Sequence, residues 1–354
     1  MRRGVAALVA LPFWLLLAVA PAPAARKPHR NPAAVARQPA VERARYLMGT
    51  ICTVRAEALD TVRAGLAVEE AFGEIARLEQ VMSSWRDDSE LARLNAEAGE
   101  DRVPCSPDLY AVLDSALALA GETDGAFDPT IEPLARLWDL RGQGRVPDMA
   151  QIAAAKSRVG WRMVLLDPGR RTARFTRPGV GVDLGGIGKG YALDRAADAL
   201  RGRGVKRALL NLGGEVLAMT RGAPWAVSVA HPGDRLVPVV RLALSNGAVS
   251  TSSQGERFVT VKGARFGHIL DPRSGSPART EASVTVVAGS GTRADALSTA
   301  LLVLGLEDAR AFARAHPDIG VLWIEPDGPA VRAWAWNLPA LAEEPGARVD
   351  WMQR

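Results

Sequence analysis

Apolar residues recur at helical spacing over two early stretches of the chain. Phe72, Ile75, Leu78 and Met82 form one stripe, closed by the turn-forming run Ser83-Ser84-Trp85-Arg86. Leu109, Val112, Leu113, Ala116, Leu117 and Ala120 form a second, with Gly121 at its end. Elsewhere the period shortens: residues 46–56 alternate loosely as a strand, and 163–166 and 172–175 read as short β segments. Residues 180–183 read as a strand entering a glycine-rich turn, with a helix over 189–200 that stops at Gly202 and Gly204. Residues 208–212, 225–229, 237–244 and 258–261 add antiparallel strands. Residues 294–304 predict a buried helix ended by Gly305, followed by an amphipathic helix and a strand over 321–324. The elements describe an α+β chain with mixed and antiparallel sheets and packed helices, long enough for one large domain or two lobes.

The composition agrees with a folded protein: 354 residues, 48% of them hydrophobic, can bury a substantial core. The net charge of +5 is not spread evenly. Residues 1–45 hold Arg2, Arg3, Arg26, Lys27, Arg30, Arg37, Arg43 and Arg45 against Glu42 alone, which leaves the remainder slightly acidic. Such a body lacks the basic stripe that binding to nucleic acid requires. Arg2 and Arg3 precede an uncharged run from Gly4 to Ala25, the layout of a secretory signal peptide over residues 1–25. The run nearly reaches the length of a bilayer span, so an uncleaved leader holding the protein at the membrane is the alternative. Sec and twin-arginine export both remain open, and no cysteine near the cleavage site invites a lipid. Residues 26–44 read as a Pro/Arg/Ala-rich linker, 45–340 as the folded domain and 341–354 as a C-terminal tail. Cys52 and Cys105 are the only cysteines, and pairing and two buried free thiols are both compatible with them. His29, His231, His268 and His316 are too scattered for a zinc cluster.

Five short segments carry candidate chemistry. Val182-Asp183-Leu184-Gly185-Gly186-Ile187-Gly188-Lys189-Gly190-Tyr191 opens a helix with four glycines and a lysine. Backbone amides at such a start carry partial positive charge and Lys189 adds a mobile one, which suits a phosphate; a glycine turn without ligand is the bland reading. Asp295 and Thr299 stand at i and i+4 and present two oxygens on one helical face, a pair that a hard cation accepts; a dipole-favoured Asp with a self-satisfied threonine is the bland reading there. His268 precedes a turn-forming Asp271-Pro272-Arg273-Ser274-Gly275, where it suits a general base, a phosphate contact or a structural role. Asp128 lies in the loop Gly125-Ala126-Phe127-Asp128-Pro129-Thr130, and Trp85 in its turn offers either a platform for a flat ring or core packing.

Taken in order with Met48-Gly49-Thr50, Met82 to Leu91 and Asn211-Leu212-Gly213-Gly214, these segments resemble the ApbE family, the FAD:protein FMN transferases, over roughly residues 45–325. The resemblance implies a single large two-lobed ApbE-like catalytic domain of the α+β class. It implies FAD as substrate, Mg²⁺ at the pyrophosphate and transfer of FMN to a threonine or serine hydroxyl of another protein, with AMP leaving. By motif position Gly186 (through its carbonyl), Asp295 and Thr299 would hold the metal. Met48, Trp85, Ala126, Phe127, Asp128, Asp183, Lys189 and Leu270 would line the flavin and adenosine parts. His268 would move the acceptor's proton or stabilise the phosphate. The implied partners are flavin-carrying subunits of membrane redox complexes on the exported, periplasmic face. A FAD pyrophosphatase and a non-catalytic FAD-binding protein are the alternatives. Around residue 251 the family usually has Thr-Ser-Gly, an acidic residue and an aromatic; here stand Thr251-Ser252-Ser253-Gln254-Gly255.

Overall fold

The computed structural model describes residues 39–353 apart from Leu59, Arg141 and Glu256. The leader expected over residues 1–25 and most of the expected linker lie outside them. The described residues form one compact unit of the α+β class. Its frame is a nine-stranded sheet whose spatial order follows the chain: β1 (Ala40–Leu47), β2 (Thr50–Glu57), β3 (Arg207–Leu212), β4 (Glu215–Met219), β5 (Gly247–Ser253), β6 (Ser283–Ala288), β7 (Gly320–Asp327), β8 (Ala330–Trp336) and β9 (Val349–Gln353). Neighbours are antiparallel except β8 and β9, which run parallel.

Both faces of the central strands are covered, and successive side chains feed different cores because they point to opposite faces. Leu217 and Met219 of β4 and Val321 and Trp323 of β7 join the larger cluster with the helices. Val216, Ala218, Leu322 and Ile324 join a second, built with the hairpin Trp225–His231 and Asp234–Leu244.

The helices are α1 (Thr61–Met82), α2 (Glu90–Glu97), α3 (Pro107–Glu122), α4 (Glu132–Trp138), α5 (Met149–Lys156), α6 (Gly188–Gly202), α7 (Gly291–Leu304) and α8 (Leu306–Ala315). The stripe Phe72, Ile75, Leu78 and Met82 is the buried face of α1. Gly121 falls inside the last turn of α3 rather than after it. Helix α2 has only Leu91 and Leu94 buried, too short a stripe for periodicity to reveal.

Several expectations change. The single strand expected over 46–56 is a hairpin, because Met48 and Gly49 both take positive φ (50° and 73°) and turn β1 into β2, as two-residue hairpin loops require. Strand β1 starts at Ala40, so order reaches into the expected linker, and Arg43 and Arg45 both pair with Glu69 of α1. Residues 180–183 are not a strand. The Asn95 side chain takes the place of a partner strand, accepting from Val182 N and donating to Val182 O at 2.8 Å each, and Asp183 N donates to Pro129 O at 2.7 Å. Helix α7 starts at Gly291, because Asp194 of α6 accepts the Gly291 and Thr292 amides at 2.7 and 2.8 Å and satisfies its first turn. The expected tail is ordered: Leu341–Glu343 pairs with the Asp234–Leu244 strand and Val349–Gln353 is β9. Cys52 and Cys105 are free and buried, and burial pushes their thiols up to about 12 and about 11.

Candidate active site at the start of helix α6

Helices α6 and α7 meet backbone to backbone at Gly190 and Gly291, where a Cβ on either residue would collide with the other's carbonyl. This approach sets Asp295, one turn into α7, against the first turn of α6. Its Oδ2 accepts from Gly190 N at 3.0 Å, and its Oδ1 lies 3.7 Å from Lys189 Nζ. Lys189 Nζ also sits 2.8 Å from Glu215 Oε1 on β4. Asp295 is 2% exposed and Glu215 7%, so the ammonium lies between two carboxylates largely withdrawn from water. Burying charge in this way is tolerated only where opposite charges meet. Sequence reasoning missed Glu215; its signal was a lone charge opening the apolar run Glu215-Val216-Leu217-Ala218-Met219.

Thr299 follows one turn later on the same face. Its Oγ1 lies 3.3 Å from Ser252 Oγ, and Ser298 Oγ lies 2.8 Å from Ser252 Oγ and 3.1 Å from Ser250 Oγ. A Cβ on Gly186 would stand 3.4 Å from Thr299 Oγ1 and 3.3 Å from the Phe127 ring, so the glycine turn, α7 and the 126–128 loop converge. Asp295 offers a carboxylate, Thr299 a hydroxyl and Gly186 a backbone carbonyl, all oxygen donors with one negative charge among them. That chemistry fits Mg²⁺, which takes one or two carboxylates and leaves its other positions to water and phosphate. Among the described residues no group of three or more His, Cys, Asp or Glu is placed to hold a metal ion.

The glycine turn is a smaller anion cradle than its sequence suggests. Gly185 N donates to Asp183 Oδ1, Ile187 N and Gly188 N to Leu184 O, and Gly190 N to Asp295. Positive charge here comes chiefly from Lys189 and the α6 terminus.

His268 follows the strand Ala264–Gly267. Its Nδ1 lies 3.0 Å from the Arg257 carbonyl oxygen, which can only accept, so Nδ1 carries the proton and Nε2 presents a lone pair. Burial, with the Lys189 and Arg257 charges, pushes the imidazole down to about 4. It is therefore neutral near pH 7.

The other expected residues divide. Met48 reaches the site: its Cε and that of Met82 both lie 3.9 Å from where a Cβ on Gly188 would be. Trp85, three residues past Met82, is 62% exposed. Ala126 and Phe127 are both buried, and the Phe127 ring lies beside Gly186. Asp128 is committed to the protein, with Oδ1 accepting from Thr130 N and Oγ1 at 2.8 and 2.6 Å and Oδ2 from Trp161 N at 2.9 Å; desolvation holds its carboxyl above the usual range. Asp183 Oδ1 turns back to Gly185 N at 2.7 Å. Leu270 packs into a separate cluster with Leu134, Trp138, Ile152 and Ala155, which leaves it backbone groups rather than a side chain to offer a ligand.

The ApbE family model matches residues 48–323, a span that begins at Met48 and holds every residue of this site. The FAD:protein FMN transferase of Treponema pallidum is 35% identical over 305 residues, covering 80% of this chain and 84% of that protein. The crystal structure of the ApbE protein from Thermotoga maritima superposes with a TM-score of 0.75 at 32% identity, covering 80% of this chain and 94% of that one. The apo form of the flavinyl transferase ApbE from Pseudomonas stutzeri gives 0.75 at 29% identity, covering 86% and 96%. With most of its length matched and its charged residues gathered where α6 begins, this chain belongs to the ApbE family.

Proposed function

We propose that this protein transfers FMN from FAD to a threonine or serine hydroxyl of an acceptor protein and releases AMP. The observation that carries the reading is the meeting of Asp295, Thr299 and Gly186 beside Lys189, whose charge helps keep His268 neutral. The names of the relatives support the same chemistry.

Splitting a pyrophosphate asks for charge neutralisation and in-line placement more than for covalent work by the protein. Bound Mg²⁺, held by Asp295, Thr299 and the Gly186 carbonyl, would supply charge neutralisation on the phosphate oxygens. His268 Nε2 takes the proton of the acceptor hydroxyl, and the oxygen forms its bond to the FMN phosphorus. The bond from that phosphorus to the bridging oxygen breaks, and AMP leaves with the electron pair. Lys189, set in place by Glu215 and Asp295, opposes the growing negative charge. Trp85 offers a flat exposed face for a ring of the substrate, and Met48 and Phe127 give apolar surface near the turn.

We place the reaction on the exported face of the cell, with flavin-carrying subunits of redox complexes as acceptors. The support is the uncharged run after Arg2 and Arg3. Among the described residues no helix is long and apolar enough to cross a membrane.

Asp295→Asn tests the metal assignment without emptying the position, since the amide oxygen still accepts from Gly190 N. Transfer falls by about two orders of magnitude, the scale lost when one charge-stabilising group is removed, while FAD binding by calorimetry persists. Unchanged transfer would remove Asp295 from the metal site.

A further inference from the structure

We infer that Gln254 is a positioning residue for His268, holding the backbone beside the histidine so that its ring keeps Nδ1 on the Arg257 carbonyl. The inference rests on the transferase reading for its kinetic consequence but on geometry alone for the clamp. Gln254 directly follows the last residue of β5.

The amide is 9% exposed and makes three hydrogen bonds to backbone across the chain. Oε1 accepts from Ile269 N at 3.0 Å, and Nε2 donates to Ile269 O at 2.7 Å and to Ala278 O at 2.8 Å. Two carbonyls at one end and one N–H at the other set the amide's orientation. A carboxylate at 254 would accept from Ile269 N but would face both carbonyls without a proton to give. Gly267 completes the clamp, because a Cβ there would collide with the Gln254 amide. His268 is thus bracketed: Gly267 yields space to Gln254 on one side, and Ile269 is bonded to it on the other. Three residues after Gln254, Arg257 O receives both His268 N at 3.1 Å and His268 Nδ1 at 3.0 Å. One short segment therefore fixes both the backbone of the histidine and the tautomer of its ring.

The test uses Gln254→Glu, which keeps the shape and removes the donors, and Gly267→Ala, which presses on the same amide from the other side. Two readouts are taken on the full folded domain: steady-state FMN transfer, and the ring ¹⁵N signals of His268, assigned by difference against His268→Gln. In both variants kcat falls about tenfold or more, part of the 10²–10⁴ that a positioned base supplies, KM for FAD stays within about twofold, and the Nδ1–H signature gives way to mixed tautomers. Unchanged kcat with an unchanged Nδ1–H signature in folded Gln254→Glu would overturn the inference. A fall in kcat with the tautomer intact would also overturn it, because the amide would then act elsewhere. If the wild-type protein transferred no FMN, the transferase reading would fail while the tautomer comparison still decided the clamp.

Discussion

His268 gives its Nδ1 proton to the Arg257 carbonyl, and the Lys189 charge opposes a second proton. Burial, helped by the Lys189 and Arg257 charges, pushes the imidazole down to about 4 against the carbonyl hydrogen bond, which raises it. A base in that state is unprotonated throughout the neutral pH range. We expect kcat/KM to show no inflection from His268 between pH 5 and 8 and to fall only as pH drops toward 4; an inflection near 6.5, the ordinary histidine range, would contradict the assignment. The stability consequence has a definite sign. The unfolded histidine takes a proton near its ordinary pKa and the folded one only near 4, so between those values the unfolded state binds more protons. The contribution is whole above about pH 6.5 and shrinks as pH falls toward 4. Urea unfolding at pH 7 and pH 5 should show a larger loss for the wild type than for His268→Gln. At this scale the Asp295–Thr299 pair was legible from sequence because i and i+4 place two side chains on one face without help from the fold. The pairing of Lys189 with Glu215 was not, since β4 and α6 are brought together only by the sheet. Asp128 shows the converse: its oxygens are spent on Thr130 and Trp161, and no spacing in the chain says so.

Helices α6 and α7 act as one unit because their contact is glycine on glycine. Gly190→Ala must push α7 outward, since the new methyl meets the Gly291 carbonyl and the Asp295 Cβ. We expect about 1–3 kcal/mol of destabilisation, as for other overpacked sites, together with loss of transfer, because α7 carries Asp295 and Thr299. Gly202→Ala, at the far end of α6 with nothing within 4 Å of the added carbon, is the control and should keep transfer intact. Equal behaviour of the two variants in urea unfolding and transfer would contradict this account of the contact. Elements with long apolar stripes, such as α1, could be read from periodicity. The extended segment 180–183 could not be told from a strand, because its partner is the single side chain Asn95 rather than a neighbouring strand. The start of α7 was misread for a similar reason: its cap includes Asp194, which sits on another helix.

Across the described residues, the order of the nine-stranded sheet follows the chain, and the groups proposed for catalysis come from insertions and strands that this order stacks side by side. Strand β1 forms one edge, pairs with β2 along its full length and ties to α1 through Arg43, Arg45 and Glu69. A chain beginning at residue 46 would lose most of that edge and expose β2, an invitation to pairing between copies. Compared with a chain beginning at residue 39, it should unfold at lower temperature and elute in part as larger species on size exclusion; identical behaviour would mean that β1 adds nothing to the fold. The hydropathy of the central strands gave little direction about their faces, since strands covered on both sides are apolar throughout.

The most direct test of the central claim is to incubate residues 39–354 with FAD, Mg²⁺ and a flavin-acceptor domain from the same organism, and to weigh the acceptor by intact-mass spectrometry. An added mass equal to FMN bound as a phosphoester is expected, present with Mg²⁺ and absent with chelator. Free FMN and AMP beside an unmodified acceptor would point instead to a pyrophosphatase, and FAD returned unchanged would contradict catalysis altogether.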